Sequence, residues 1–181
     1  MAATGAALVL TAAGTGQAAG RGDLLVNVMS LRCLEIDNSS RANGALAQQW
    51  ACKGQAGAVW KFVKVAGSGK GAEYRIVNVN SGKCLEVADS RKDRGAPIQQ
   101  WTCVDGVATQ LWYENAGALI NKNAGLSIAL PEPDGEPGET GPGGGRVIQP
   151  NLQDGARAVA GMPQLWDHWD PAYPPVPVQR G

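Results

Sequence analysis

The chain is predicted to be all-β, a closed barrel with threefold pseudosymmetry, on three observations. A sequence unit of roughly 50 residues recurs three times, within the range of repeat architectures. Trp60, Trp112 and Trp166 close the three copies at near-equal intervals. Between them, short alternating apolar runs such as Tyr74-Arg75-Ile76-Val77 are separated by Gly, Asn, Asp and Ser, the pattern of strands and turns. Each copy alone buries too little to be stable, and closure of three copies removes exposed strand edges. The 25 Gly and 11 Pro against a single Phe fit a turn-rich chain with few amphipathic helices.

In chain order, Ala6 to Ala13 is a short apolar stretch followed by small residues through Gly20. It resembles the apolar and cleavage regions of a secretory signal, although no Lys or Arg precedes it, and it is too short to span a bilayer. Residues 1–20 are therefore set aside as a leader and residues 21–170 taken as the domain.

The first copy, about 25–66, runs from Val26-Asn27-Val28 through Cys33-Leu34-Glu35-Ile36 and Gln48-Gln49-Trp50-Ala51-Cys52 to Ala58-Val59-Trp60. The second, about 74–117, repeats it as Val77-Asn78-Val79, Cys84-Leu85-Glu86-Val87, Gln99-Gln100-Trp101-Thr102-Cys103 and Gln110-Leu111-Trp112. The third, about 118–170, is worn. It starts at Leu119-Ile120-Asn121, has Ser127 near the place of the first Cys and Ala129 at that of the acid, and closes on Gln164-Leu165-Trp166. Val147-Ile148-Gln149-Pro150-Asn151 is aligned with the Gln-Gln-Trp segment, so that Asn151 replaces the Trp. A Gly-, Pro- and Glu-rich insert at 131–145 reads as a mobile surface loop, and 171–181 as a Pro-rich extended tail.

The four Cys contain no CxxC pair, and the only His, His168, is far from them, which argues against zinc. Cys33 and Cys52 are 19 residues apart, as are Cys84 and Cys103, and two equal intervals argue for two equivalent local disulfides. Each would stabilise the fold by about 3 kcal/mol in the chain-entropy model and implies an oxidising, extracellular compartment. Sixteen basic residues balance sixteen acidic ones, so no electrostatic footprint for nucleic acid or an anionic membrane is present.

With Cys-Leu-acid-aliphatic, Gln-x-Trp-x-Cys and a closing Gln-x-Trp in tandem copies, the chain resembles the ricin B-type β-trefoil lectins over residues 25–170. Secreted bacterial carbohydrate-binding modules of that type are the most similar. The resemblance implies that Trp60, Trp112 and Trp166 pack in the core. It also implies shallow sugar pockets at Glu35, Gln48, Trp50 and Lys53 and at Glu86, Gln99 and Trp101. The residue types suit the task. An indole covers the C–H face of a pyranose, and a carboxylate accepts two charge-assisted hydroxyl hydrogen bonds. Two such sites on one chain raise avidity for a polymer.

The chain departs from the family in three ways. The acid is Glu where the family most often has Asp, which carries the carboxylate farther out. Gly57 and Thr109 stand where the family places a sugar-binding Asn, and Ala58 replaces the closing Gln of the first copy. No sugar site is expected in the third copy.

The resulting expectation is a monomeric, secreted, non-catalytic module binding a glycan or polysaccharide, with galactose- or xylan-type sugars implied by the family. It uses no metal or cofactor and engages neither nucleic acid nor membrane. The rival is a trefoil that serves protein interaction or inhibition without sugar, since fold does not fix function. An enzyme would need two carboxylates facing one cleft, whereas the repeat puts each acid in a separate lobe. His168 lacks an oriented nucleophile and reads as a surface residue, Arg21-Gly22-Asp23 as chance, and Gly67-Ser68-Gly69-Lys70-Gly71 as a hairpin turn, not a phosphate loop.

Overall fold

The computed structural model describes residues 22–130, 158–161 and 165–172. The leader at 1–20, the insert at 131–145, Asn151, Gln164 and the tail beyond residue 172 lie outside the described residues.

Among the described residues, twelve strands form one sheet, four from each copy. The first copy supplies β1 (Asp23–Asn27), β2 (Cys33–Ile36), β3 (Ala47–Trp50) and β4 (Val59–Ala66). The second supplies β5 (Glu73–Asn78), β6 (Cys84–Val87), β7 (Ile98–Trp101) and β8 (Trp112–Asn115). The third supplies β9 (Ala118–Asn121), β10 (Ser127–Ala129), β11 (Val159–Gly161) and β12 (Trp166–Trp169).

The first and last strands of each copy build the barrel. β1 pairs with β4 and β12, β5 with β4 and β8, and β8 with β9, all antiparallel. An Ala118–Leu165 bridge and the Trp166 N–H to the Gly117 carbonyl (2.9 Å) close the ring between β9 and β12. The middle strands form three hairpins, β2–β3, β6–β7 and β10–β11. These meet around the pseudo-threefold axis, where the Ile98 N–H donates to the Ala158 carbonyl and the Ala158 N–H to that of Ala47. The chain is thus a β-trefoil, as the repeat predicts.

Threefold-equivalent apolar residues fill the interior: Leu25, Ile76 and Leu119; Leu34, Leu85 and Ile128; Ile36, Val87 and Leu130. Trp60, Trp112 and Trp166 are fully buried among them. A buried indole N–H needs an acceptor, and each finds the carbonyl of the hairpin strand in its own copy. Trp60 Nε1 donates to Leu34 O (2.9 Å), Trp112 Nε1 to Leu85 O (2.9 Å) and Trp166 Nε1 to Ile128 O (3.4 Å).

A second device, not read from the sequence, recurs in every copy. Asn27, Asn78 and Asn121 are fully buried polar residues at the ends of β1, β5 and β9. Each side-chain oxygen accepts two backbone N–H groups of the following turn: Met29 and Ser30, Asn80 and Ser81, Asn123 and Ala124. The amide then reaches back into the preceding copy, Asn78 Nδ2 to Gly57 O and Asn121 Nδ2 to Thr109 O, both at 2.8 Å.

The alignment of the third copy is corrected by register. Ser127 faces Gly161 and Ala129 faces Val159. Gly161, not Asn151, occupies the place taken by Trp50 and Trp101 in the other copies. A long insert shifts the return strand by ten positions, and strand pairing, not loop spacing, decides which residue faces Ser127.

Candidate functional site: two hairpin pockets

Alternation along the strands sorts each hairpin into two faces. Leu34 and Ile36 of β2 and Ala47 of β3 point into the core, so Glu35, Gln48 and Trp50 share the outer face. Glu35 pairs directly with Gln48, and Cys33 with Trp50, which sets the Trp beside the disulfide. β6 and β7 repeat this, with Glu86 opposite Gln99 and Cys84 opposite Trp101. Disulfides join Cys33 to Cys52 and Cys84 to Cys103.

In the first copy, Glu35 is 5% exposed and Trp50 37%. Gln48 Nε2 donates to Glu35 Oε1 (2.9 Å) and Asp37 Oδ1 (3.2 Å). An open depression of about 320 Å³ lies over these groups, walled by Asp37, Asn38, Ser39, Trp50, Lys53 and Gln55. Asn38 and Ser39 take left-handed backbone angles (φ 54° and 50°) in a tight 3-10 turn after β2. Asn tolerates that region better than most residues. Lys53 stands on the exposed rim, its ammonium in no ion pair among the described residues.

In the second copy, Glu86 is 8% exposed and Trp101 42%. Gln99 Nε2 donates to Glu86 Oε1 (2.8 Å), and Gln110 Nε2 to Glu86 Oε2 (2.9 Å). Ala88 stands where Asp37 does, and Val104 follows Cys103 where Lys53 follows Cys52. The first copy's hairpin loop borders this pocket. Asn43 Oδ1 accepts from Thr102 N (3.0 Å) and Oγ1 (3.1 Å), and a Cβ on Gly44 would lie 3.7 Å from the Trp101 ring.

The two closing motifs differ in how they brace the pocket. Gln110 accepts from Val104 N (2.8 Å) and donates to Thr102 O (3.0 Å), tying down the loop beyond the second Cys. Ala58 holds the equivalent place in the first copy, yet the brace survives. Gln55 accepts from Lys53 N and donates to Ala51 O, both at 2.9 Å. Gln55 makes no bond to Glu35. Its role escaped the sequence because the Gln sits off-register with Gln110, in loops of unequal length.

Gly57 and Thr109 present their carbonyls to Asn78 and Asn121, so in both copies the positions before the closing motif serve inter-copy contacts. Glu35 and Glu86 lie in separate hairpins. His168 is on β12, its ring against Phe62 (4.6 Å between centroids), Nδ1 3.3 Å from Asp23 Oδ2 and Nε2 3.9 Å from Glu114 Oε1. No cluster of three or more metal-ligating side chains occurs among the described residues.

A threefold trefoil bearing a carboxylate, an amide and an exposed indole on two of its hairpins has the framework of a lectin domain. The family model described as ricin-type beta-trefoil lectin domain-like matches residues 13–69 and 58–141, and the chain belongs to that family. No curated protein matches it by sequence. Among solved structures, the designed threefold-symmetric protein ThreeFoil is similar with a TM-score of 0.64 and 22% identity, over 82% of this chain and 97% of its own. An exo-beta-1,3-galactanase from Clostridium thermocellum has a TM-score of 0.64 and 25% identity over 82% of this chain, which spans 30% of that enzyme's length. The C-half of the earthworm R-type lectin, solved with GalNAc, has a TM-score of 0.54 and 10% identity, over 83% of this chain and 98% of its own.

Proposed function

We propose that the chain is a non-catalytic carbohydrate-binding module with two shallow sites, Glu35, Gln48, Trp50 and Lys53 in one and Glu86, Gln99 and Trp101 in the other. The observation that carries this reading is the pairing, twice over, of a nearly buried carboxylate with an exposed indole on one hairpin face. Large exposed aromatics cost hydration, and an indole beside an acceptor matches the two faces of a pyranose. The lectins among the structural neighbours support the same reading, and the two disulfides are compatible with an extracellular setting. The third hairpin, with Ala129 and Gly161 at the corresponding places, offers neither acid nor ring and takes no sugar.

The test is binding to a panel of soluble glycans and insoluble polysaccharides, galactose- and xylan-type included. Wild type is compared with Trp50→Ala, Trp101→Ala and the double variant. Stepwise loss across the singles and the double is expected. Well-folded wild type that binds nothing would refute the reading and favour a protein-interaction or inhibitor trefoil.

A further inference from the structure

Building on that carbohydrate-binding reading, we propose that the two pockets are unequal. The first-copy pocket is the tighter, it takes a neutral pyranose that offers two adjacent hydroxyl donors, and the difference between Ala58 and Gln110 sets the ranking.

The floor of the first pocket holds acceptors without donors. Both N–H bonds of the Gln48 amide are spent, on Glu35 Oε1 and on Asp37 Oδ1. Glu35 Oε2 and Gln48 Oε1 accept no hydrogen bond among the described residues. Glu35 is 5% exposed and lines the depression; among the described residues Arg75 Nε alone is a buried side-chain polar atom without a partner, so the open Glu35 oxygen is reached by solvent through that depression. A ligand hydroxyl that donates to this open carboxylate oxygen makes a charge-assisted bond in place of one to water.

The second pocket lacks this deficit. Gln99 and Gln110 hold one oxygen each of Glu86, and a ligand there can only add a further bond to an oxygen already engaged. The cause is one position. Gln110 both braces the loop and reaches the acid, whereas in the first copy Gln55 braces the loop and leaves Glu35 Oε2 open.

The same floor states the ligand's chemistry. Two adjacent pyranose hydroxyls can donate to Glu35 Oε2 and Gln48 Oε1 while the C–H face lies on Trp50. A sugar carboxylate would face two acids on the floor, Glu35 and Asp37, against one cation on the rim, Lys53, so net repulsion disfavours it.

The experiment titrates lactose, xylobiose and glucuronic acid separately into wild type, Trp50→Ala, Trp101→Ala and Gln55→Ala/Ala58→Gln, the last rebuilding the second copy's arrangement in the first. Calorimetry and tryptophan fluorescence are the readouts. We expect a neutral sugar to bind in two phases and Trp50→Ala to remove the tighter one. The double variant should weaken that phase about tenfold, as for loss of one hydrogen bond to a charged group. Glucuronic acid should not bind. Loss of the tighter phase in Trp101→Ala, or unchanged affinity in the folded double variant, overturns the ranking while the lectin reading stands. Tight binding of glucuronic acid overturns the assigned chemistry. Wild type inert to all three sugars overturns the inference, and only failure across the wider panel reaches the lectin reading. The two Trp variants decide the ranking even where the double variant does not fold.

Discussion

Replacing Asn78 with Ala removes three hydrogen bonds from one buried side chain. Its Oδ1 accepts from Asn80 N (3.1 Å) and Ser81 N (3.2 Å), and its Nδ2 donates to Gly57 O (2.8 Å). At about 1 kcal/mol net for each bond, the loss is about 3 kcal/mol, and more if the backbone groups stay buried and unpaired. For a domain of this size that corresponds to a fall in Tm of about 6–12 °C. Asn78→Asp keeps the turn acceptor but sets a carboxylate oxygen against Gly57 O, so it should cost at least as much, although it is closer in shape than Ala. The assay is urea denaturation followed by tryptophan fluorescence. Equal midpoints for wild type and Asn78→Ala would refute the assignment of this side chain as an inter-copy tie. Asn78→Asp matching wild type would refute the direction assigned to the Gly57 contact.

Two further outcomes follow from local geometry. Leu31 adopts a left-handed backbone (φ 55°) where the other copies have Gly82 (φ 70°) and Gly125 (φ 67°). Leu31→Gly should relieve roughly 1 kcal/mol of strain, partly offset by chain entropy, and raise Tm by a degree or two; a lower Tm would count against the strain. Glu73 on β5 is bonded by the Lys122 ammonium (2.7 and 2.8 Å) and the Tyr113 hydroxyl (3.1 Å), tying the second copy to the third. The Lys122 hydrogen bond, opposed in part by desolvation, holds the Glu73 carboxyl below its usual range, and the same bond raises Lys122. A lowered acid pKa stabilises above the ordinary carboxylate value and loses its contribution as pH falls through the folded one. The stability gap between wild type and Lys122→Met should therefore be flat from about pH 5 to 9, shrink in acid, and narrow with added salt. A gap that widens in acid would contradict it.

The architecture was legible because its determinants are local and repeated. Period-two alternation in Cys33-Leu34-Glu35-Ile36 and Cys84-Leu85-Glu86-Val87 places the acids on the face opposite the core, and equal Cys spacing announces equal hairpins. The closing Trp residues recur on a beat that three equivalent lobes around one axis can satisfy. The Asn at the start of every copy was equally visible, even in the worn third copy. Its meaning was not, because the amide partners of Asn78 and Asn121 lie in the preceding copy.

By itself, the sequence determined the threefold trefoil, the two disulfides and the family, since each is written in residues a few positions apart and then repeated. Only the tertiary structure decided which strand faces Ser127 across a long insert, which carbonyls Asn78 and Asn121 bind, and that Gln55 replaces half of Gln110. These depend on pairing and packing between distant segments, where loop length leaves the register open and only the folded geometry selects the partner.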